Sequence, residues 1–308
     1  MELVRTPCPI CFFVNFKQLK YHLFKIHQNS QRYLLSTHLK LRIPQWGFSF
    51  CIFGIAQLLN METKWETKRA LITGAASGLG LALARRLLNE GTHLGLIDHN
   101  PEGLTAEYRE TAGRFKTYAL DVTEPGEVQK AVEDFAGQAG GIDILVNCAG
   151  ITGRTGIKSH EVDFGDFNRV LGVNVLGSFN TFKAVAPWML KQGAGRVLHV
   201  ASIAGKDGNA GMLAYSAAKA AVIGMIKVQG KEYAESGILI NGIAPAVIRT
   251  PILERQPEEQ IRYMTDKIPM KRCGTLEEFV EAACYIISDQ NSFSTGFTFD
   301  LSGGRALY

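Results

Sequence analysis

Tyr215 and Lys219 stand four residues apart in Ala214–Ala234, a stretch whose pattern predicts a helix. That spacing puts a phenol and an ammonium on one helix face. A phenol with a reference pKa of about 10 is a poor base near neutrality, and a neighbouring cation favours the phenolate. The pair therefore suits proton transfer to and from an alcohol oxygen. Ser202 follows the predicted strand Arg196–Ala201 and lies 13 residues before Tyr215. A hydroxyl there reaches the carboxyl edge of a sheet, where open parallel sheets bind ligands. Asn174, inside the helix predicted over Phe164–Lys191, adds an amide that can order a water or a backbone carbonyl. Alone, Tyr-x3-Lys also describes an aromatic beside a snorkelling lysine on an ordinary helix.

A second set of residues gives these a partner. Thr73-Gly74-Ala75-Ala76-Ser77-Gly78-Leu79-Gly80 sits where a strand turns into a helix. Glycines let the backbone bend and approach a pyrophosphate, while N–H groups at the helix start supply positive partial charge. Any tight strand-to-helix turn favours glycine, so the trio needs support. Asp98 supplies it, ending the second predicted strand 18 residues after Gly80, where a carboxylate accepts hydrogen bonds from adenosine ribose hydroxyls. A 2′-phosphate would be repelled by Asp98, and the turn holds no Arg or Lys to receive one. NAD is the expected cofactor, preferred over NADP. Asn100-Pro101-Glu102 reads as a helix start, and Asn100 can cap it without Asp98.

These residues need a scaffold. Ala70–Thr73, His93–Asp98, Phe115–Leu120, Ile142–Val146, Arg196–Ala201, Leu239–Ile243 and Phe297–Leu301 read as strands. Leu79–Asn89, Pro101–Thr111, Pro125–Gln138, Phe164–Lys191, Ala214–Ala234 and Leu276–Ile287 read as helices between them. The alternation predicts an α/β fold: a single Rossmann-type doubly wound parallel sheet of about seven strands, with helices on both faces. It occupies residues 61–308, and residues 1–60 read as an N-terminal extension.

The 308 residues are 46% hydrophobic and 20% charged, which excludes disordered and collagen-like chains. No apolar run approaches the about 20 residues of a spanning helix, so no membrane association is expected. The net charge of +4 is uneven: residues 1–60 carry +6 and the remainder −2. The main body therefore offers no electrostatic case for nucleic acid. Six scattered cysteines fit reduced thiols and a cytoplasmic location better than a disulfide framework. In the extension, Cys8, Cys11, His22 and His27 form C-x2-C-x10-H-x4-H, two short of the usual inner gap of about 12 in a zinc finger. A Cys2His2 module would make 1–60 a binding segment, while a disordered tail, or a start at Met61, would leave it without a role. Gly47–Leu59 is too short to span a bilayer and too deep for a signal peptide. The scarcity of acids would tolerate a transit peptide, although Ser and Arg are few.

From about Lys64 onward the chain resembles the classical short-chain dehydrogenase/reductase family. Thr73–Gly80 resembles its cofactor turn, Asp121-Val122 its adenine-contacting pair, and Asn147-Cys148-Ala149-Gly150 its Asn-Asn-Ala-Gly segment. Pro245-Ala246-Val247-Ile248-Arg249-Thr250 resembles its Pro-Gly-x3-Thr segment, whose Thr contacts the nicotinamide carboxamide. Asn174, Ser202, Tyr215 and Lys219 match the catalytic tetrad in order and context. Cys148 stands in place of the second Asn and removes one side-chain amide. Ala246 stands in place of Gly, which bears on the local turn because Ala disfavours positive φ.

The resemblance implies reversible hydride transfer between a secondary alcohol and NAD. Tyr215 moves the proton while Ser202 holds the oxygen. Lys219 lowers the Tyr215 pKa and binds the nicotinamide ribose, and Asn174 anchors a relaying water. Thr73, Gly74, Ser77, Gly78, Leu79, Gly80, Asp98, Asp121, Val122, Asn147, Ala149, Gly150, Pro245, Ile248 and Thr250 are then the cofactor side, joined by Tyr215 and Lys219, with no metal. A homotetramer through the two long helices is implied as well. Arg154, Lys206, Asp207, Asn209 and Arg249 fall in the segments expected around the nicotinamide, more polar than a steroid or long acyl chain would need, and Ala201–Asn209, Lys267–Arg272 and Leu301–Tyr308 resemble family members acting on a small polar substrate such as a sugar or sugar acid. A 3-oxoacyl carrier-protein reductase is the alternative, and such enzymes usually prefer NADP. A different class, an interaction protein retaining the fold, would have no need of the complete tetrad.

Overall fold

The computed structural model describes residues 65–109, 113–250, 253 and 258–306. The extension and its Cys8, Cys11, His22 and His27 pattern lie outside the described residues.

Seven strands, β1 (Arg69–Thr73), β2 (His93–Asp98), β3 (Phe115–Ala119), β4 (Ile144–Asn147), β5 (Gly195–Val200), β6 (Ile238–Pro245) and β7 (Thr298–Leu301), form one sheet. Their order is β3-β2-β1-β4-β5-β6-β7, and every pairing is parallel. Chain order reverses between β1 and β4, opening a crevice at the carboxyl ends of the strands.

Side chains alternate between two cores, as the period of a strand requires. Ile72, Val146 and Leu198 pack with Leu83 and Leu87 of α1 (Gly78–Asn89) and Phe279 and Ala283 of α9 (Leu276–Ile287). Leu71, Leu145 and Val197 pack on the other face with Val128, Val132 and Phe135 of α3 (Pro125–Ala139) and Val185 and Met189 of α5 (Gly177–Gln192). Cover on both faces explains why β4 is buried at all four positions. The second helix, α2 (Pro101–Tyr108), starts as expected: the Gly103 N–H donates to Asn100 Oδ1 at 2.9 Å, and Pro101 takes the first turn.

The helix predicted over 164–191 is broken. A π-helical turn, Gly172–Leu176, separates α4 (Phe164–Leu171) from α5. Asn174 lies at the centre of this turn. Its Nδ2 donates to Val170 O, four residues back, at 2.9 Å and to Ile151 O at 2.8 Å, so a side chain competes for a carbonyl of the helical ladder. The widened turn faces the sheet's carboxyl edge, beneath the loop after β4.

Two helices carried no sequence expectation, α6 (Ile203–Asp207) directly after Ser202 and α8 (Glu258–Asp266). Between α6 and α8, α7 runs from Leu213 to Glu232.

Candidate active site

The phosphate-side cradle is built by the turn after β1. Gly74 and Gly78 adopt φ of 68° and 54°, which side-chain-bearing residues rarely adopt. A Cβ on Gly80 would stand 2.2 Å from the Gly74 carbonyl oxygen, whereas one on Gly78 would meet open space. Gly80 therefore closes the turn against itself, and Gly78 leaves an open approach to the start of α1. Ser77 caps α1 without a side-chain bond to it and is exposed. The first N–H groups of a helix have no internal acceptor, so this end suits a pyrophosphate. Gly80→Ala is expected to weaken NAD binding by at least about tenfold, because the Cβ collides with backbone rather than a yielding side chain. Titration of the cofactor checks this.

Asp98 is 7% exposed at the end of β2. Its Oδ2 accepts from the Ala76 N–H at 2.9 Å and its Oδ1 from the Asn100 N–H at 3.0 Å. The carboxylate is thus locked against the glycine turn, where ribose hydroxyls would lie. Thr73 Oγ1 accepts from the Ala149 N–H at 3.1 Å, tying the end of β1 to the segment after β4. Asn180 Nδ2 donates to Val122 O at 3.0 Å, while Asp121 is exposed and accepts from the Thr123 N–H at 2.9 Å. Leu79 packs against the core, and Gly150 is exposed at the mouth. These features fit a dinucleotide.

The residues expected to move the proton gather at the end of β5 and the start of α7. Ser202 caps α6, accepting from the Ala204 N–H at 3.1 Å, and is 8% exposed. Tyr215 lies in the first turn of α7, and Lys219 one turn on, its Nζ 5.7 Å from the centre of the Tyr215 ring. Lys219 donates to Val200 O at 2.7 Å and is 4% exposed. Asn174 is fully buried, and among the described residues its Oδ1 has no hydrogen-bond donor. A Cβ placed on Gly150 would lie 2.6 Å from that oxygen and 3.4 Å from Lys219 Nζ, so both polar groups meet under Gly150. An orphaned buried acceptor beside an ammonium is a site for an ordered water.

One expectation is reversed. Burial pushes the Tyr215 phenol above its ordinary range, and a hydrogen bond from Ser202 offsets only part of this. Burial also lowers Lys219 to about 8, so the ammonium is itself costly to hold. In the protein alone, Tyr215 is a protonated acid.

Other sequence-named residues have different employment. Asn147 turns its side chain into the protein: Oδ1 accepts from Thr181 Oγ1 at 2.7 Å, and Nδ2 lies 3.2 Å from His199 Nδ1. It braces β4 against α5 and β5 and presents no amide to a cofactor. His199, which no motif signalled, bridges Asn147 to Gln229 and is held neutral by burial, its pKa lowered to about 4. Burial pushes the Cys148 thiol up to about 12, which removes it as a nucleophile. Ala246 needs no positive φ, and its N–H donates to Leu301 O at 3.0 Å. Buried Pro245 ends β6, and buried Ile248 and half-buried Thr250 follow at the same sheet edge, with Ile248 bridged to Gly274. Lys206, Asp207 and Asn209 are engaged within the protein, Lys206 by Asp300 and the other two by Arg305.

Among the described residues no helix is long and apolar enough to cross a membrane. A family model described as short chain dehydrogenase matches residues 68–261. The 2-dehydro-3-deoxy-L-rhamnonate dehydrogenase (NAD(+)) of Sphingomonas sp. (strain SKA58) is 43% identical over 245 residues, covering 80% of this chain and 98% of its own. The 3-oxoacyl-(acyl-carrier-protein) reductase of Thermotoga maritima is 37% identical, covering 79% and 99%. The solved structure of NAD+-bound xylitol dehydrogenase superposes with a TM-score of 0.74 at 33% identity, over 78% of this chain and 100% of that one. The chain belongs to the short-chain dehydrogenase family, and it is an NAD(P)-dependent oxidoreductase acting on CH–OH groups.

Proposed function

We propose that this enzyme prefers NAD over NADP and interconverts a secondary alcohol and ketone on a small polar substrate, a sugar acid or polyol. The observation that carries the reading is Ser202 at the end of β5 beside Tyr215 in the first turn of α7, with Lys219 Nζ 5.7 Å from the centre of the Tyr215 ring and bonded to Val200 O. Residues 61–308 form the dehydrogenase domain in this reading. The family's homotetramer is consistent with exposed Leu176 at the end of the π-helical turn, Phe179 at the start of α5 and Val228 on α7. A cytoplasmic location remains part of the reading.

Bound NAD+ supplies the hydride acceptor. The turn after β1 holds its phosphates, Asp98 its adenosine ribose, and Lys219 its nicotinamide ribose. Ser202 donates to the substrate oxygen and fixes it within reach of Tyr215. In alcohol oxidation the Tyr215 oxygen takes the hydroxyl proton, and in ketone reduction the phenol returns it. The unpaired Asn174 Oδ1 holds the water through which that proton exchanges with solvent.

Asp98→Asn tests the cofactor preference at the cost of one hydrogen bond, since the amide oxygen still accepts from the Ala76 N–H while the NH2 cannot accept from the Asn100 N–H. The ratio of kcat/KM with NAD+ to that with NADP+ is expected to fall by about tenfold or more once the repelling charge is gone. An unchanged ratio would remove Asp98 from that role. Substrate class is tested by following reduced nicotinamide with sugar acids, polyols and 3-oxoacyl thioesters. Oxidation of sugar acids or polyols is expected, and a preference for thioester reduction with NADPH would replace this reading with the acyl-chain one.

A further inference from the structure

The connection from Ser202 to Tyr215 is fastened from a distant part of the chain. Arg305 Nε donates to Asp207 Oδ2 at 3.1 Å, and its Nη2 donates to Asn209 Oδ1 at 2.6 Å. The Arg305 side chain is only 10% exposed. Lys206, 8% exposed, meets Asp300 at 3.4 Å. The tail that delivers Arg305 is shaped for the task. Gly303 and Gly304 adopt φ of 62° and 88°, the Ser302 N–H donates to Asp300 Oδ1 at 2.9 Å, and the Ala306 N–H donates to Ser302 Oγ at 3.0 Å.

The clamped segment begins directly after Ser202 and is bonded both to the residue after Tyr215 and to the loop after β4. The Asn209 N–H donates to the Oγ of Ser216, the residue after Tyr215, at 3.1 Å. Gly211 O accepts from the Gly156 N–H at 2.9 Å, joining this segment to the loop after β4. That second loop is pinned in turn, with the Arg154 N–H donating to Asp166 Oδ2 at 2.7 Å. A guanidinium presents donors in a fixed planar fork, so two acceptors on different residues are held at a set spacing; an ammonium has no such fork. Little exposure also means little screening of the Arg305 to Asp207 pair.

We propose that Arg305 is a positioning residue for substrate: by clamping Asp207 and Asn209 it sets the placement of the 203–212 segment opposite the loop after β4. This rests on the reading of the site as one for a small polar alcohol.

The test compares Arg305→Ala, Arg305→Lys and Asn209→Ala with the native full chain, with two readouts. With the alcohol that the native enzyme oxidises, Arg305→Ala is expected to raise substrate KM about tenfold and leave the NAD+ KM within about a factor of two. Arg305→Lys should recover only part of the loss, and Asn209→Ala, which removes no charge, should move KM in the same direction. Independently of any substrate, hydrogen exchange at the Gly208 and Met212 amides should speed up in Arg305→Ala while α1 is unchanged. Unchanged exchange in 203–212 would overturn the clamp whatever the substrate is. A rise in substrate and cofactor KM together, or full recovery by Arg305→Lys, would overturn its positioning role. Failure of the sugar-acid and polyol panel alone would contradict the substrate reading and leave the exchange result standing.

Discussion

Tyr215→Phe is expected to lower turnover about 10³-fold or more while NAD+ affinity stays within about a factor of two. The change deletes one oxygen. The ring keeps its packing against the cluster of Val170, Ala214 and Ala218, so the fold has no reason to yield. What disappears is the group proposed to take the alcohol proton. Steady-state rates beside a cofactor titration check both halves, and a variant keeping more than a few per cent of native turnover would remove Tyr215 from the chemistry. The pH dependence follows from the direction of the shift. Burial raises the Tyr215 pKa, so the base form is scarce at neutral pH and the kcat/KM for alcohol oxidation should climb with pH. Ketone reduction uses the protonated phenol and should be flat over the same range. A flat oxidation profile would mean that this phenol does not limit the reaction.

Lys219→Met has the second largest expected effect, a loss of about 10²-fold in kcat/KM with a higher KM for NAD+. Methionine preserves most of the volume, so packing is nearly conserved and the ammonium is what is lost. The Val200 carbonyl then loses its 2.7 Å donor, and the cofactor loses its proposed ribose contact. Burial holds the Lys219 pKa near about 8, so the native ammonium is charged below that pH and neutral above it. The rising oxidation profile should therefore flatten or turn down above about pH 8, and Lys219→Met should lose that bend. If the variant retains native NAD+ KM and the bend, the lysine serves packing alone.

Most of the scaffold was legible because its signals are local. Runs such as Ile144-Leu145-Val146 are apolar at every position, as strands covered on both faces must be, and Asn100-Pro101 announces a helix start. The glycine turn and the residues of the tetrad follow short spacings set by strand ends and helix turns. The π-turn at Asn174 was not legible, since it depends on a side chain reaching Ile151, 23 residues earlier. The duties of Lys206, Asp207 and Asn209 were misread for the same reason: their partners, Asp300 and Arg305, lie more than ninety residues away. Asn147 looked like a cofactor ligand because the motif names the residue, whereas the direction of its side chain is decided by Thr181 and His199. The Tyr215 pKa was misjudged because spacing shows a neighbouring cation but not the burial of both groups.

A structure of the enzyme with NAD+ and a slowly reacting alcohol tests the central claim most directly. Tyr215 Oη and Ser202 Oγ are expected to lie within about 3 Å of the same alcohol oxygen, with the carbinol carbon against the nicotinamide ring. An alcohol whose oxygen is held by other groups, with Tyr215 out of reach, would contradict the account.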